Sequence, residues 1–253
     1  MQTIIVNTAE DFDQKVADLI VAQIAAKPDT TLGIATGDTT IALFRLLSER
    51  NQAGLADFTH VKTINLDEYV GVDPTMYCSC RFRAFEELLG KINIDPKNVY
   101  VPDGRMEPIE REIEVFHDII ERFGGVDLQI VSVGTNGHIA FNEPGTPFES
   151  DIRIADISQS TANAKAYMFG GLDKVPAKGI TMGIKTIMHC KRILLIAKGE
   201  NKAGIMRKIL MGPVIDSVPA SVLQLHPFVT VVMDLAAASD ISRDSSKGGV
   251  AFV

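Results

Sequence analysis

The sequence is short of several features that would each point to a class of protein. It has only three cysteines, Cys78, Cys80 and Cys190, too few and too odd in number for a disulfide framework. Lys and Arg total 25 against 32 Asp and Glu, a formal net charge of -7. That balance argues against a nucleic-acid partner, because polyanion binding rests on clustered cations that release counterions. It leaves room for a local basic pocket that takes one small phosphate. No apolar run approaches the length needed to span a bilayer, and the opening residues MQTIIVNTAEDFDQ lack a basic segment followed by an apolar core. A cytoplasmic protein with no membrane partner is the expectation. There is no Walker lysine loop and no G-x-G-x-x-G, so a nucleotide loop is not indicated. Cys78 and Cys80 form a C-x-C pair, but no His or Cys cluster stands nearby in sequence to complete a four-ligand site. No metal is therefore expected, and packing is the simpler reading. No repeat, low-complexity stretch or Pro/Gly/Ser-rich linker divides the 253 residues, and one domain is expected over 1–253.

What the chain does have is alternation. Apolar or β-branched runs at TIIV near residue 3, TLGIAT (31–36), HVKTINL (60–66), VDLQIVSVG (126–134), RILLIAKG (192–199) and FVTVVM (228–233) predict strands. Longer amphipathic stretches at 8–26, 40–53, 78–90, 107–123 and 201–211 predict helices, the first opened by Thr8 with Asp11 three residues on. This pattern builds βαβ units, so the expected fold is α/β, a three-layer, doubly wound, mainly parallel sheet. In such folds ligands sit outside the carboxyl ends of the strands, near the point where strand order reverses. Polar segments that follow strands therefore matter most.

Three of those segments carry groups suited to chemistry. Thr36-Gly37-Asp38-Thr39-Thr40 joins a strand to a helix and exposes backbone N–H groups that suit a phosphate. An ordinary junction with Asp38 or Thr39 as N-cap is the competing reading. Asp67-Glu68-Tyr69 follows TINL, where partial burial would raise a carboxylate's pKa and make it a base for a proton on carbon. Solvated loop acids are the alternative there. Asn136-Gly137-His138, followed by Asn142 and Glu143, offers an imidazole for two-way proton transfer and a carboxylate to hold its tautomer, with Gly134 and Gly137 letting the chain turn closely. A loop histidine with one satisfied hydrogen bond stands against that. Lys202, after Gly199, sits where a lysine and a helix N-terminus could together hold a phosphate. His60, His117 and His189 are isolated and read as surface or structural, and His226 in LQLHP reads as a brace or cap for the site.

Taken in order, LGIATGDTT, INLDEYVG, GTNGHIAFNEPG, VPAKGITMGIKTIM, GENKA and GPVIDSVPASVLQLHP resemble the glucosamine-6-phosphate deaminase family, the glucosamine/galactosamine-6-phosphate isomerases, over nearly the whole chain. The resemblance implies a fold related to ribose-5-phosphate isomerase and 6-phosphogluconolactonase. It implies conversion of glucosamine 6-phosphate and water to fructose 6-phosphate and ammonia without a cofactor. Asp67 would move a proton from C2 to C1, and His138 would assist ring opening, oriented by Asn136 and Glu143. Thr36, Gly37, Asp38, Thr39, Lys165 and Lys202 would hold the phosphate of this small-molecule partner. A mobile lid would lie around 157–178, with Gly170-Gly171 as its hinge. The lactonases end the histidine segment in S-L-F-P, so IAFNEPG favours the deaminase branch. Galactosamine 6-phosphate, giving tagatose 6-phosphate, is the alternative substrate, followed by a lactonase and an inactive sugar-phosphate-binding paralogue. A homo-oligomer is left open.

The chain departs from the family's wording in places. The phosphate turn usually reads T-G-G-T-P or T-G-S-T-P, and this one has Asp38 and Thr40. Lys165 stands for the usual lid arginine, a point charge in place of a bidentate fork. Asn136 stands where some members have Asp, and DPTMYCSC is closer to galactosamine-6-phosphate relatives. Arg153 matches an allosteric phosphate site but Ala155 replaces its basic neighbour, so weak or absent allosteric control is expected.

Overall fold

All six apolar runs become strands of a single sheet in the computed structural model, which describes residues 1–242. In chain order the elements are β1 (Gln2–Val6), α1 (Ala9–Ala26), β2 (Thr31–Ile34), α2 (Ile41–Gln52), β3 (Lys62–Asn65), β4 (Asp67–Tyr69), α3 (Cys80–Glu87), β5 (Val99–Tyr100), α4 (Glu110–Arg122), β6 (Leu128–Ser132), β7 (Arg153–Asp156), α5 (Gln159–Phe169), β8 (Lys178–Thr181), α6 (Ile184–Met188), β9 (Ile193–Ala197), α7 (Ala203–Met211), β10 (Val229–Asp234) and α8 (Ser239–Ser242). The large sheet runs β1-β10-β9-β6-β2-β3-β5, and every neighbouring pair is parallel. Parallel strands are covered on both faces and so read as continuous apolar runs, and β9, ILLIA, is buried at all five positions.

Alternation along the strands divides the core into two layers. Leu194 and Ile196 of β9 pack with Phe12, Val16 and Ile20 of α1 and Leu43, Phe44 and Leu47 of α2. Ile193, Leu195 and Ala197 face the other way, onto Phe116 and Ile119 of α4 and Ile205, Met206 and Ile209 of α7. This is the three-layer architecture expected, with helices on both sides of the sheet. Thr8 caps α1 as anticipated, its Oγ1 accepting the Asp11 N–H at 3.0 Å. None of the helices among the described residues is long and apolar enough to cross a membrane.

Strand order reverses between β2 and β6. From β2 the sheet grows through β3 to β5, and from β6 it grows the opposite way through β9 and β10. The two loops that leave β2 and β6 at their carboxyl ends therefore diverge and open a crevice.

A second sheet was not expected from the sequence. It is antiparallel, ordered β4-β8-β7, with Asp67 opposite Thr181 and Arg153 opposite that same Thr181. The run read as one strand over 60–66 is β3, and after it the chain passes only Leu66 before β4 joins this small sheet. The connection from β7 to β8 carries α5, which places Ser160, Thr161, Ala164, Lys165 and Met168 on the wall of the crevice.

Candidate active site

The carboxyl ends of β2, β3, β6 and β9 open onto a cavity of about 450 Å3. Thr36, Gly37, Asp38, Thr39, Asp67, Asn136, His138, Lys165 and Lys202 all line it. Glu143, the remaining residue singled out in the sequence, stands behind His138.

The loop after β6 folds back on itself through bridges between Val133 and Ile139 and between Ile139 and Asn142. Its tightness places the His138 ring directly over Gly134, where any Cβ would lie 2.3 to 2.6 Å from the imidazole atoms. Glycine is therefore required at 134 for the imidazole to take this position. His138 Nδ1 lies 3.4 Å from Glu143 Oε2 and 3.3 Å from Thr161 Oγ1. Asn136 donates from Nδ2 to Glu143 Oε2 at 2.9 Å, and its Oδ1 accepts the His138 N–H at 3.1 Å. Thr161 Oγ1 donates to Glu143 Oε1 at 2.5 Å, and Thr161 belongs to α5. Burial alone would raise the Glu143 pKa. The hydrogen bond and charge of His138, then the bonds from Thr161 and Asn136, outweigh it and hold the carboxyl at about 2. Among the described residues, Nε2 of His138 has no protein partner, so it is the ring nitrogen left for a ligand.

The adjacent acids Asp67 and Glu68 part company because side chains alternate along a strand. Glu68 is buried and caps α3: it accepts from Ser79 Oγ at 2.7 Å, Cys80 N at 3.0 Å and Arg81 N at 2.9 Å. Asp67 lines the cavity, where the thiol of Cys80 donates to its Oδ1 at 3.6 Å. Burial first, and the Glu68 charge second, push the Asp67 carboxyl up to about 7, with Cys80 and Lys165 partly offsetting them. A carboxylate of that basicity suits proton abstraction near neutral pH.

At the other end of the cavity, the turn after β2 delivers α2 with Thr40 as N-cap and no side-chain cap bond, so neither Asp38 nor Thr39 caps the helix. Asp38 reaches instead to α5 and α3. Tyr167 OH donates to its Oδ1 at 2.9 Å, Lys165 Nζ lies 3.4 Å from Oδ2, and Arg83 Nη2 lies 3.6 Å from Oδ1. Lys202 Nζ donates to the Val133 carbonyl at 2.8 Å, and burial, then the Lys165 charge, lower its pKa.

Cys80, Arg83, Thr161 and Tyr167 belong to this constellation and were not singled out as site residues in the sequence. Cys80 and Arg83 lie three apart on α3, and Thr161 and Lys165 lie four apart on α5, spacings that put each pair on one helix face. His226 does not brace the cavity. It is buried in the turn before β10, with Nε2 2.8 Å from the Cys190 carbonyl and Nδ1 accepting the Phe228 N–H at 3.1 Å. Arg153 is bonded to the loop that carries Glu143, through Asn142 Oδ1 at 2.7 Å and Thr146 Oγ1 at 3.4 Å. Among the described residues no group of three His, Cys, Asp or Glu is placed to hold a metal ion.

Residues 6–232 match the profile of the family described as glucosamine-6-phosphate isomerases/6-phosphogluconolactonase. The chain is 44% identical over 232 residues to a glucosamine-6-phosphate deaminase of Lachnoclostridium phytofermentans, covering 92% of this chain and 98% of that one. It is 43% identical over 247 residues to glucosamine-6-phosphate deaminase 2 of Bacillus subtilis, covering 97% and 99%. Among solved structures, one described as a monomeric glucosamine-6-phosphate deaminase superposes with a TM-score of 0.92 at 37% identity, over 95% of this chain and 100% of that one. A 6-phosphogluconolactonase from Trypanosoma brucei superposes with a TM-score of 0.79 at 18% identity, over 95% and 99%, which shows the shared fold.

Proposed function

The chain belongs to the glucosamine-6-phosphate isomerase/6-phosphogluconolactonase family, and from that premise we propose that it is a deaminase of glucosamine 6-phosphate, converting it with water to fructose 6-phosphate and ammonia. One observation carries the reading. Asp67, pushed up to about 7, and His138, backed by Glu143, line the same cavity at the strand-order reversal.

His138, with Nδ1 held by Glu143, presents Nε2 to take the proton of the C1 hydroxyl and pass it to the ring oxygen, so that the pyranose opens to the C1 aldehyde. The aldehyde and the C2 ammonium acidify the C2 proton, which Asp67 removes. The resulting C1–C2 enolamine takes that proton back at C1, leaving an imine at C2. Water adds to C2 and ammonia departs, giving the ketose. Each step uses protein acid or base groups and water. The amides of Gly37 to Thr39, with Lys165 and Lys202, hold the phosphate far from the reacting carbons, so binding energy is used for positioning. The segment 157–178 acts as the lid, since α5 supplies Thr161 to the acid–base group and Lys165 to the anion end.

The test is release of ammonia and ketose phosphate from glucosamine 6-phosphate, with galactosamine 6-phosphate and 6-phosphogluconolactone as parallel substrates. Turnover of glucosamine 6-phosphate above the other two is expected. A folded protein that turns over only the lactone, or none of the three, contradicts the assignment.

A further inference from the structure

Asp38 is where three separate elements meet at the anion end of the cavity. Its carboxylate comes from the turn after β2, Arg83 from α3, and Lys165 and Tyr167 from α5. Two cations and a hydroxyl converging on one carboxylate is the arrangement proteins build for a bound anion. Here the anion is part of the chain. Arg83 is buried, its Nε is bonded to Glu87 Oε1 at 2.8 Å, and its Nη2, the nitrogen nearest Asp38, is buried with no hydrogen-bond partner. That nitrogen is a donor without an acceptor, at a position that lines the cavity. Asp38, by contrast, keeps 59% of its side chain exposed, so it can leave without opening the core.

The same contacts hold α5. Of its eleven residues only Thr161 is fully buried, and its apolar anchorage is confined to its last turn, where Met168 and Phe169 pack against the small cluster around Tyr69 and Phe141. Thr161 fastens its first turn to Glu143, and Tyr167 and Lys165 fasten its last turns to Asp38.

We propose that Asp38 is an intramolecular stand-in for the ligand's phosphate: with the cavity empty it engages Arg83, Lys165 and Tyr167 and holds α5 over the site, and an incoming phosphate monoester takes the two cations from it. This rests on reading the cavity as a sugar-phosphate site. The carboxylate then acts in two opposed ways. It orders the lid in advance, and it repels the ligand's charge at close range.

Removing the charge separates these effects. Inorganic phosphate, titrated calorimetrically, is expected to bind Asp38→Asn about three- to tenfold more tightly than wild type. Without phosphate, amide hydrogen exchange across 163–169 is expected to speed up in Asp38→Gly, and phosphate should restore protection. Tyr167→Phe, which removes one lid contact and no charge, is expected to speed that exchange while leaving phosphate affinity within about twofold. Weaker or unchanged phosphate binding in Asp38→Asn overturns the proposal, as does exchange in Asp38→Gly equal to wild type, or no phosphate binding by either protein. Failure of wild type to deaminate glucosamine 6-phosphate, with these phosphate effects intact, removes the functional reading and leaves the stand-in. Normal deamination with no effect of Asp38→Asn removes the stand-in alone.

Discussion

The two ends of the cavity are built on opposite principles. At the proton end, His138, Glu143, Asn136 and Thr161 bond to one another, and the histidine ring is seated on Gly134 with no room for a Cβ. At the anion end, Arg83 and Lys202 are held by the body of the protein, but Asp38 is exposed and Lys165 and Tyr167 sit on a helix that fully buries one residue. Proton transfer requires donors and acceptors placed to within a fraction of an ångström. Holding a phosphate requires charge, and charge acts over longer distances and tolerates motion. A fixed end for chemistry and an adjustable end for binding is the division that results.

Substitutions at the two ends should then differ in kind. Asp67→Asn should lower kcat by about a thousandfold, the scale of losing a positioned base, while ligand affinity stays within a few-fold. The same variant bears on stability. The folded-state pKa of Asp67 lies above its ordinary value of 3.8, so its contribution is fully present below pH 3.8 and is lost as pH rises through about 7. Thermal melts should therefore show Asp67→Asn gaining on wild type between pH 5 and 8, by on the order of 2 kcal/mol at the upper end. Glu143→Gln should lower kcat by about ten- to a hundredfold with KM little changed, because the imidazole loses its orienting carboxylate. A large rise in KM with normal kcat there would put Glu143 at the binding end. Lys202→Ala should do the reverse, raising KM about tenfold with the smaller part of the loss in kcat. Smallest of all, Cys80→Ala should move the acidic limb of the kcat/KM profile, expected near pH 7, upward by a few tenths, since the thiol holds the Asp67 pKa down. An acidic limb near pH 4 in wild type would show that burial does not set the basicity of Asp67.

The same division governs how much was legible in the sequence. The six parallel strands were plain because burial on both faces writes most of them as apolar or β-branched runs, and Asp67, Asn136 and His138 follow two of them directly. The small sheet was not legible. DEY, RIAD and KGIT are short and carry charges, and β4 finds its partner β8 far along the chain. Nor was α5 visible as a helix: QSTANAKAYMF has no apolar stripe, because most of it covers the cavity and only Met168 and Phe169 at its end reach a small core cluster. Arg83 stayed hidden for a related reason, since an arginine on a short helix reads as a solvated charge until tertiary packing buries it.

The central claim is that Asp67 exchanges a proton with C2 of the substrate while His138 serves ring opening. It is tested most directly with glucosamine 6-phosphate deuterated at C2, following the label by NMR in wild type and Asp67→Asn. Wild type is expected to move the deuterium from C2 to C1 or to water during turnover, and Asp67→Asn to leave it at C2 while still binding the sugar. Loss of the label from C2 at comparable rates in both proteins would contradict the assignment.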